Sequence, residues 1–81
     1  MRLDKYLKVS RVIKRRTVAN EACDLGRVLI NGKTAKASTT VKCGDIVEIK
    51  FGEKIIKFEI TRVNEVVKKE EASEMFKIIE E

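Results

Sequence analysis

Apolar residues near the start of the chain recur at helical spacing. Leu3, Tyr6 and Leu7 lie at i, i+3 and i+4, which predicts a short helix over residues 3–8 with one apolar stripe. Asp4 falls in the first turn, where a carboxylate suits the positive end of the helix dipole. Because Tyr6 shares the stripe, we expect it in the core rather than stacked on a base.

A second helix is predicted between Thr17 and Gly26. The Thr17 hydroxyl is suited to cap the free amides of a helix start, and glycine is a common residue just past a helix end. Asn20 stands where a capping box would have Glu or Gln, so that signal is incomplete. The buried face is expected to contain Val18, Ala22 and Leu25.

Beyond Gly26 the pattern changes from helical to alternating. A short strand through Val28 and Ile30 ends in Asn31-Gly32, a dipeptide typical of tight hairpin turns. Residues 46–51 and 56–60 both alternate between apolar and polar positions across a glycine-containing turn. These two segments are therefore predicted to pair as an antiparallel hairpin.

The last segment is predicted to be an amphipathic helix. Ala72, Met75, Phe76 and Ile79 follow the i, i+3, i+4, i+7 pattern. We favour packing of this helix on the small sheet over docking on a protein partner, because a small core needs every apolar residue. The expected fold is α+β: N-terminal helices on a small antiparallel sheet, with a C-terminal helix. Residues 1–66 would form one domain, with helix 67–81 packed on it.

Composition limits the class of protein. The 81 residues suffice for a single domain, and the longest apolar stretches are strand-sized, so we expect a cytoplasmic, membrane-free protein. Neither catalysis nor a cofactor is expected. A metal site is not expected either, since two cysteines without any histidine fall short of the four ligands of structural zinc. The start of the chain lacks the apolar core of a signal peptide.

The charge of the chain is segregated. Residues 1–36 carry ten Lys and Arg against three acids, a net charge of +7, whereas the remaining residues sum to −2. Such asymmetry favours a partner with dense negative charge, nucleic acid first. A basic face that only keeps the protein soluble is the alternative, although solubilising surfaces usually mix both signs.

The candidate RNA contacts lie mostly between residues 2 and 17, where arginine forks and free amides at a helix start are both suited to phosphate. Lys33, in the predicted turn, is added to them. The candidates are Arg2, Lys5, Lys8, Arg11, Lys14, Arg15, Arg16, Thr17 and Lys33.

Four ordered blocks of sequence resemble the RNA-binding domain of ribosomal small-subunit protein four, the alpha-L motif. The resemblance covers about residues 1–51 and implies that the helices and the turn after the first strand contact RNA. The chain departs from the family pattern at Arg15, where serine is frequent. The blocks are Arg2-Leu3-Asp4-Lys5-x-Leu7, Arg16-Thr17-x-Ala19, Gly26-Arg27-Val28-x-Ile30-Asn31-Gly32-Lys33 and Gly44-Asp45-Ile46-Val47.

Over its whole length the chain is most similar to small stand-alone members of this group. These are the bacterial heat-shock ribosome-binding protein and, more closely, the ribosome quality-control protein P family. The resemblance implies a protein that binds large-subunit ribosomal RNA and tRNA after a ribosome has stalled, and a partner protein that tails the stalled chain. We expect the protein to be a monomer. The alternative is a stand-alone module for another structured RNA, acting as a regulator or as an accessory of an RNA-processing enzyme.

Overall fold

The computed structural model describes residues 1–79. Two α-helices come first in the chain, five strands follow, and a 3₁₀ helix precedes the last strand. None of the helices in this part of the chain has the length and apolar character required to cross a bilayer. The elements are α1 (Leu3–Val9), α2 (Arg16–Asp24), β1 (Val28–Ile30), β2 (Lys33–Thr34), β3 (Ile46–Phe51), β4 (Lys54–Ile60), the 3₁₀ helix (Lys69–Met75) and β5 (Phe76–Ile78).

The five strands form one antiparallel sheet in the order β2-β1-β3-β4-β5. Alternation along β3 buries Val47 and Ile49, and in β4 it buries Phe58, as the period of two requires. These side chains join Leu7 and Tyr6 of α1 in one hydrophobic core. The predicted α+β class and the β3–β4 hairpin are confirmed, and so is the core position of Tyr6.

The β1–β2 turn has the geometry that its sequence predicts. Asn31 has a φ of 51° and Gly32 a φ of 83°, the two positive values of a type I′ turn. The Asn31 side chain accepts a hydrogen bond from the Ile46 amide at 2.9 Å and donates to the Asp45 carboxylate at 3.2 Å. The turn is therefore fastened to the start of β3.

The second helix begins two residues earlier than a cap at Thr17 requires. Arg16 is its first residue, and Arg15 precedes it with extended backbone and no capping hydrogen bond from its side chain. The prediction of Thr17 as the cap is wrong. Thr17 lies inside the first turn, where its backbone is already helical and its hydroxyl cannot take the capping position.

The buried face of α2 also differs from the expected one. Ala19 and Cys23 are buried, whereas Val18 is 44% exposed and Leu25 is 65% exposed. The helix packs against α1, and small side chains at its contact face allow two short helices to approach closely. Val18 and Leu25 lie outside that face, so their assignment to the core was wrong.

The C-terminal segment is not the predicted amphipathic α-helix. It forms the 3₁₀ helix and then strand β5, which pairs with β4 so that Ile60 is opposite Phe76. Packing onto the protein itself is confirmed, because Met75 is fully buried and its carbonyl accepts a hydrogen bond from the Tyr6 hydroxyl at 2.7 Å. The physical reason is the open edge of β4, whose backbone groups are paired by a strand and not by a helix. Glu80 and Glu81, the end of the expected helix, lie outside the described residues.

Candidate nucleic-acid interface

A buried carboxylate organises the basic residues at the start of α1. Asp4 is 2% exposed and accepts a hydrogen bond from the Lys5 amide at 2.8 Å. Its oxygens also accept from Arg2 Nε at 3.2 Å and from Arg16 Nε at 3.3 Å. Asn20 Nδ2 donates to the second oxygen at 3.3 Å. We call Arg2, Asp4, Arg16 and Asn20 the Asp4 cluster; it joins the start of α1 to one face of α2.

The electrostatics of the Asp4 cluster keep Asp4 ionised. Burial by itself raises the pKa of Asp4, but hydrogen bonds from Arg16, Asn20 and the Lys5 amide, with the charge of Arg16, lower it below its ordinary value. The two arginine side chains remain 51% and 47% exposed. Each guanidinium has five N–H donors, more than Asp4 uses. The cluster therefore presents two oriented cationic forks to solvent, with donors left for phosphate oxygens.

A groove runs beside the Asp4 cluster, between α2 and the loop that follows β2. Arg2 and Asn20 lie on one side, and Thr34 and Lys36 lie on the other. Arg2 is held there by a backbone bridge to Thr40, which ties the start of the chain to that loop. The predicted contact Lys33 is exposed at the start of β2, next to this groove but not among its lining residues.

Three other predicted contacts meet at the opposite end of α1. Lys8, Arg11 and Lys14 line a second groove, whose apolar walls are Val9 and Val67. We call this the α1-end groove. Within residues 1–79 none of the three cations has an ion-pair partner.

Lys5 lies between these two regions and differs from the other cations of α1. Its ammonium forms an ion pair with the carboxylate of Glu65, in the irregular segment between β4 and the 3₁₀ helix. The hydrogen bond from Lys5 lowers the pKa of Glu65. Lys5 is thus already paired with an acid that lies 60 residues away in the sequence.

The remaining predicted contacts, Arg15 and Thr17, are exposed at the start of α2. The structure brings neither into the Asp4 cluster, although Thr17 lines the shallow depression over it. Direct contact of each of the nine candidate residues with RNA stays a prediction. The sequence did not predict that Asp4, Asn20 and Glu65 form hydrogen bonds with side chains elsewhere in the chain. These partners are 12 to 60 residues apart in the chain, and such distant pairs leave no local sequence signal. Residues 1–79 contain no group of three or more Asp, Glu, Cys or His placed to hold a metal ion.

The family model of the S4 domain matches residues 1–47. A curated protein of Halalkalibacterium halodurans, named RQC P-site tRNA stabilizing factor, is 57% identical over 81 residues, which are all of this chain and 92% of that protein.

Two solved structures are similar over nearly the whole chain. Heat shock protein 15 of Vibrio cholerae, solved as a trimer, superposes with a TM-score of 0.89 at 28% identity, covering 98% of this chain and 81% of the other. A protein designated HP1423 superposes with a TM-score of 0.84 at 30% identity, covering 100% of this chain and 99% of the other. The likeness extends beyond residue 47, through β4 and the C-terminal segment.

Proposed function

The chain belongs to the S4 domain family, and within it to the RQC P-site tRNA stabilizing factors; on this basis we propose that it binds RNA on the large ribosomal subunit and stabilises P-site tRNA there. It would do so in the rescue and quality control of stalled translation. The observation that carries the proposal is the Asp4 cluster, which holds two arginine forks in place within the segment that matches the S4 domain.

The mechanism that these contacts support is binding without catalysis. Asp4 keeps both guanidiniums oriented before RNA arrives, so less side-chain entropy is lost when phosphate oxygens take the remaining donors. The surface is helical and basic, which suits the backbone of folded RNA better than the edges of its bases. This surface is suited to both ribosomal RNA and tRNA.

The proposal extends to the setting of the protein. We propose that it acts in the cytoplasm as a monomer, next to a quality-control protein that tails the stalled chain. The C-terminal segment, with Met75 in the core, supports an internal role for residues 69–78 and not a free docking helix. The division into a domain of residues 1–66 and an addition of residues 67–81 stays a prediction.

Co-sedimentation with purified large subunits that carry peptidyl-tRNA tests the proposal. Arg16→Ala should weaken binding by about 1–3 kcal/mol, because a charge-assisted, oriented contact is lost. The matched control is Lys54→Ala, which removes an exposed cation from the first residue of β4. Circular dichroism confirms that both variants are folded.

Three outcomes would each contradict a part of the proposal. If the wild-type protein does not sediment with large subunits but binds another structured RNA, the alternative of a separate RNA target is correct. If Arg16→Ala binds as the wild type does while remaining folded, Arg16 is not an anchor. Binding that does not change with salt concentration would exclude phosphate contacts altogether.

A further inference from the structure

One cation in the middle of the basic half is paired with an exposed acid. Lys5 lies on α1 between the Asp4 cluster and the α1-end groove, and its ammonium forms an ion pair with the Glu65 carboxylate. We infer that Glu65 is a specificity-determining residue, which competes with RNA phosphate for Lys5 and so limits binding of the protein to unselected RNA. This inference rests on the proposed function and deepens it, because it assigns a residue that acts against the wrong RNA.

The first argument is the difference between the two acids that pair with basic side chains at this surface. Asp4 is buried, so it orients Arg2 and Arg16 without facing an RNA ligand. The Glu65 side chain is 70% exposed, so its carboxylate lies where a phosphate would approach Lys5. A carboxylate and a phosphate carry charge of the same sign, and both accept hydrogen bonds from an ammonium. The two anions therefore compete for Lys5.

The second argument is that the segment carrying Glu65 is held on the fold. Val63 and Val67 pack against the core, and Glu65 lies between them, so its carboxylate pairs with Lys5 at little further cost in backbone entropy. The hydrogen bond from Lys5 lowers the pKa of Glu65, so the competing group stays ionised. Because the acid belongs to the same molecule, its local concentration at Lys5 does not fall on dilution, whereas that of RNA does.

The third argument is the excess of positive charge around Lys5. Residues 1–36 carry a net charge of +7, and Lys8, Arg11 and Lys14 have no ion-pair partner within the described part of the chain. Such a surface attracts the backbone of any RNA, and specificity is a difference between affinities. A free RNA can shift until a phosphate reaches each available cation, whereas a docked target has its phosphates at fixed places. Pairing of Lys5 with an acid therefore weakens unselected RNA more than the target.

A double-mutant cycle on Lys5 and Glu65 tests the inference, with a short RNA hairpin of arbitrary sequence as the unselected RNA. Glu65→Gln should raise hairpin affinity by about three- to fivefold and increase the salt slope by about one, because Lys5 becomes available to a phosphate. In the Lys5→Ala background the same substitution should raise affinity by less than about twofold, since only the repulsion between carboxylate and RNA is relieved. Glu53→Gln, which removes an exposed acid from the β3–β4 turn, is the matched control and should bind within about twofold of the wild type. Circular dichroism confirms that the variants are folded.

Selectivity is measured as the ratio of the affinity for large subunits carrying peptidyl-tRNA to the affinity for the hairpin. Glu65→Gln should lower this ratio by about two- to threefold. An unchanged hairpin affinity, an equal rise in both backgrounds, or an unchanged ratio would each overturn the inference. If that happens while wild-type protein still sediments with large subunits, the proposed function stands alone. If wild-type protein does not sediment with them, the proposed function fails, and the hairpin cycle still decides whether Glu65 competes for Lys5.

Discussion

Replacement of Asp4 by asparagine tests whether the Asp4 cluster is held by its buried charge. The substitution keeps the shape of the side chain but removes the anion that faces Arg2 and Arg16. It also replaces one of the two acceptor oxygens by an N–H donor, so either Lys5 N or Asn20 Nδ2, which now donate at 2.8 Å and 3.3 Å, loses its acceptor. The two guanidiniums would then repel each other without a counter-ion.

The magnitude follows from the exposure of the two arginines. Breaking a buried ion pair costs about 3–5 kcal/mol when the remaining charge is also buried. Here the arginine side chains are 51% and 47% exposed, so water compensates for much of the lost attraction. The cost is about 1–3 kcal/mol, which for a domain of this size lowers Tm by roughly 5–15 °C.

The loss should depend on pH in a definite direction. Folding lowers the pKa of Asp4 below its ordinary 3.8, so the stabilisation is fully present above that value and disappears as pH falls through the lower folded pKa. The free energies of unfolding of wild type and Asp4→Asn should therefore differ at neutral pH and converge as the pH falls through the folded-state pKa of Asp4.

Urea denaturation followed by circular dichroism at several pH values measures this difference. Asp24→Asn is the matched control, since Asp24 is exposed at the end of α2, and it should stay within about 0.5 kcal/mol of the wild type. Equal stability of Asp4→Asn and wild type at neutral pH would refute the reasoning. A difference that persists unchanged into acid would show that shape, and not charge, is responsible.

Three further outcomes are expected. Gly32→Val should destabilise the protein by about 1–2 kcal/mol, since the φ of +83° strains a β-branched residue even without a clash; an unchanged Tm would contradict this. In the folded protein a thiol reagent should modify the exposed Cys43 quickly and Cys23 only on unfolding, because burial raises the pKa of Cys23 to about 11. Equally fast modification of both thiols would contradict this prediction. Truncation before Lys68 removes the buried Met75, so it should lower the free energy of unfolding by at least about 2 kcal/mol and make thermal unfolding less cooperative. Thermal unfolding like that of the intact chain would place the segment outside the core.

The elements that sequence predicts correctly are those stabilised by neighbours along the chain. Helix α1 follows from three apolar residues at helical spacing, and the type I′ turn follows from Asn31-Gly32, whose residues tolerate positive φ. The β3–β4 hairpin follows from alternation on both sides of a short turn.

The secondary structure of the C-terminal segment does not follow from its local sequence pattern. The spacing of Ala72, Met75 and Phe76 fits a helix, yet Phe76 lies in a strand opposite Ile60. The deciding factor was the unpaired edge of β4, a feature that exists only once the sheet has formed. In α2 likewise, the residues buried against α1 are Ala19 and Cys23, whereas the spacing of apolar residues in the sequence favoured Val18 and Leu25.

The sequence by itself determined the α+β class, the first helix, the turn at Asn31-Gly32, the β3–β4 hairpin and the concentration of positive charge in residues 1–36. It also carried the family resemblance. Only the tertiary structure decided how that charge is partitioned. Asp4 meets Arg16 across 12 residues, and Lys5 meets Glu65 across 60. Local propensity acts over one or two turns, whereas a charge is paired by whichever residues the completed core brings within a few ångströms of it.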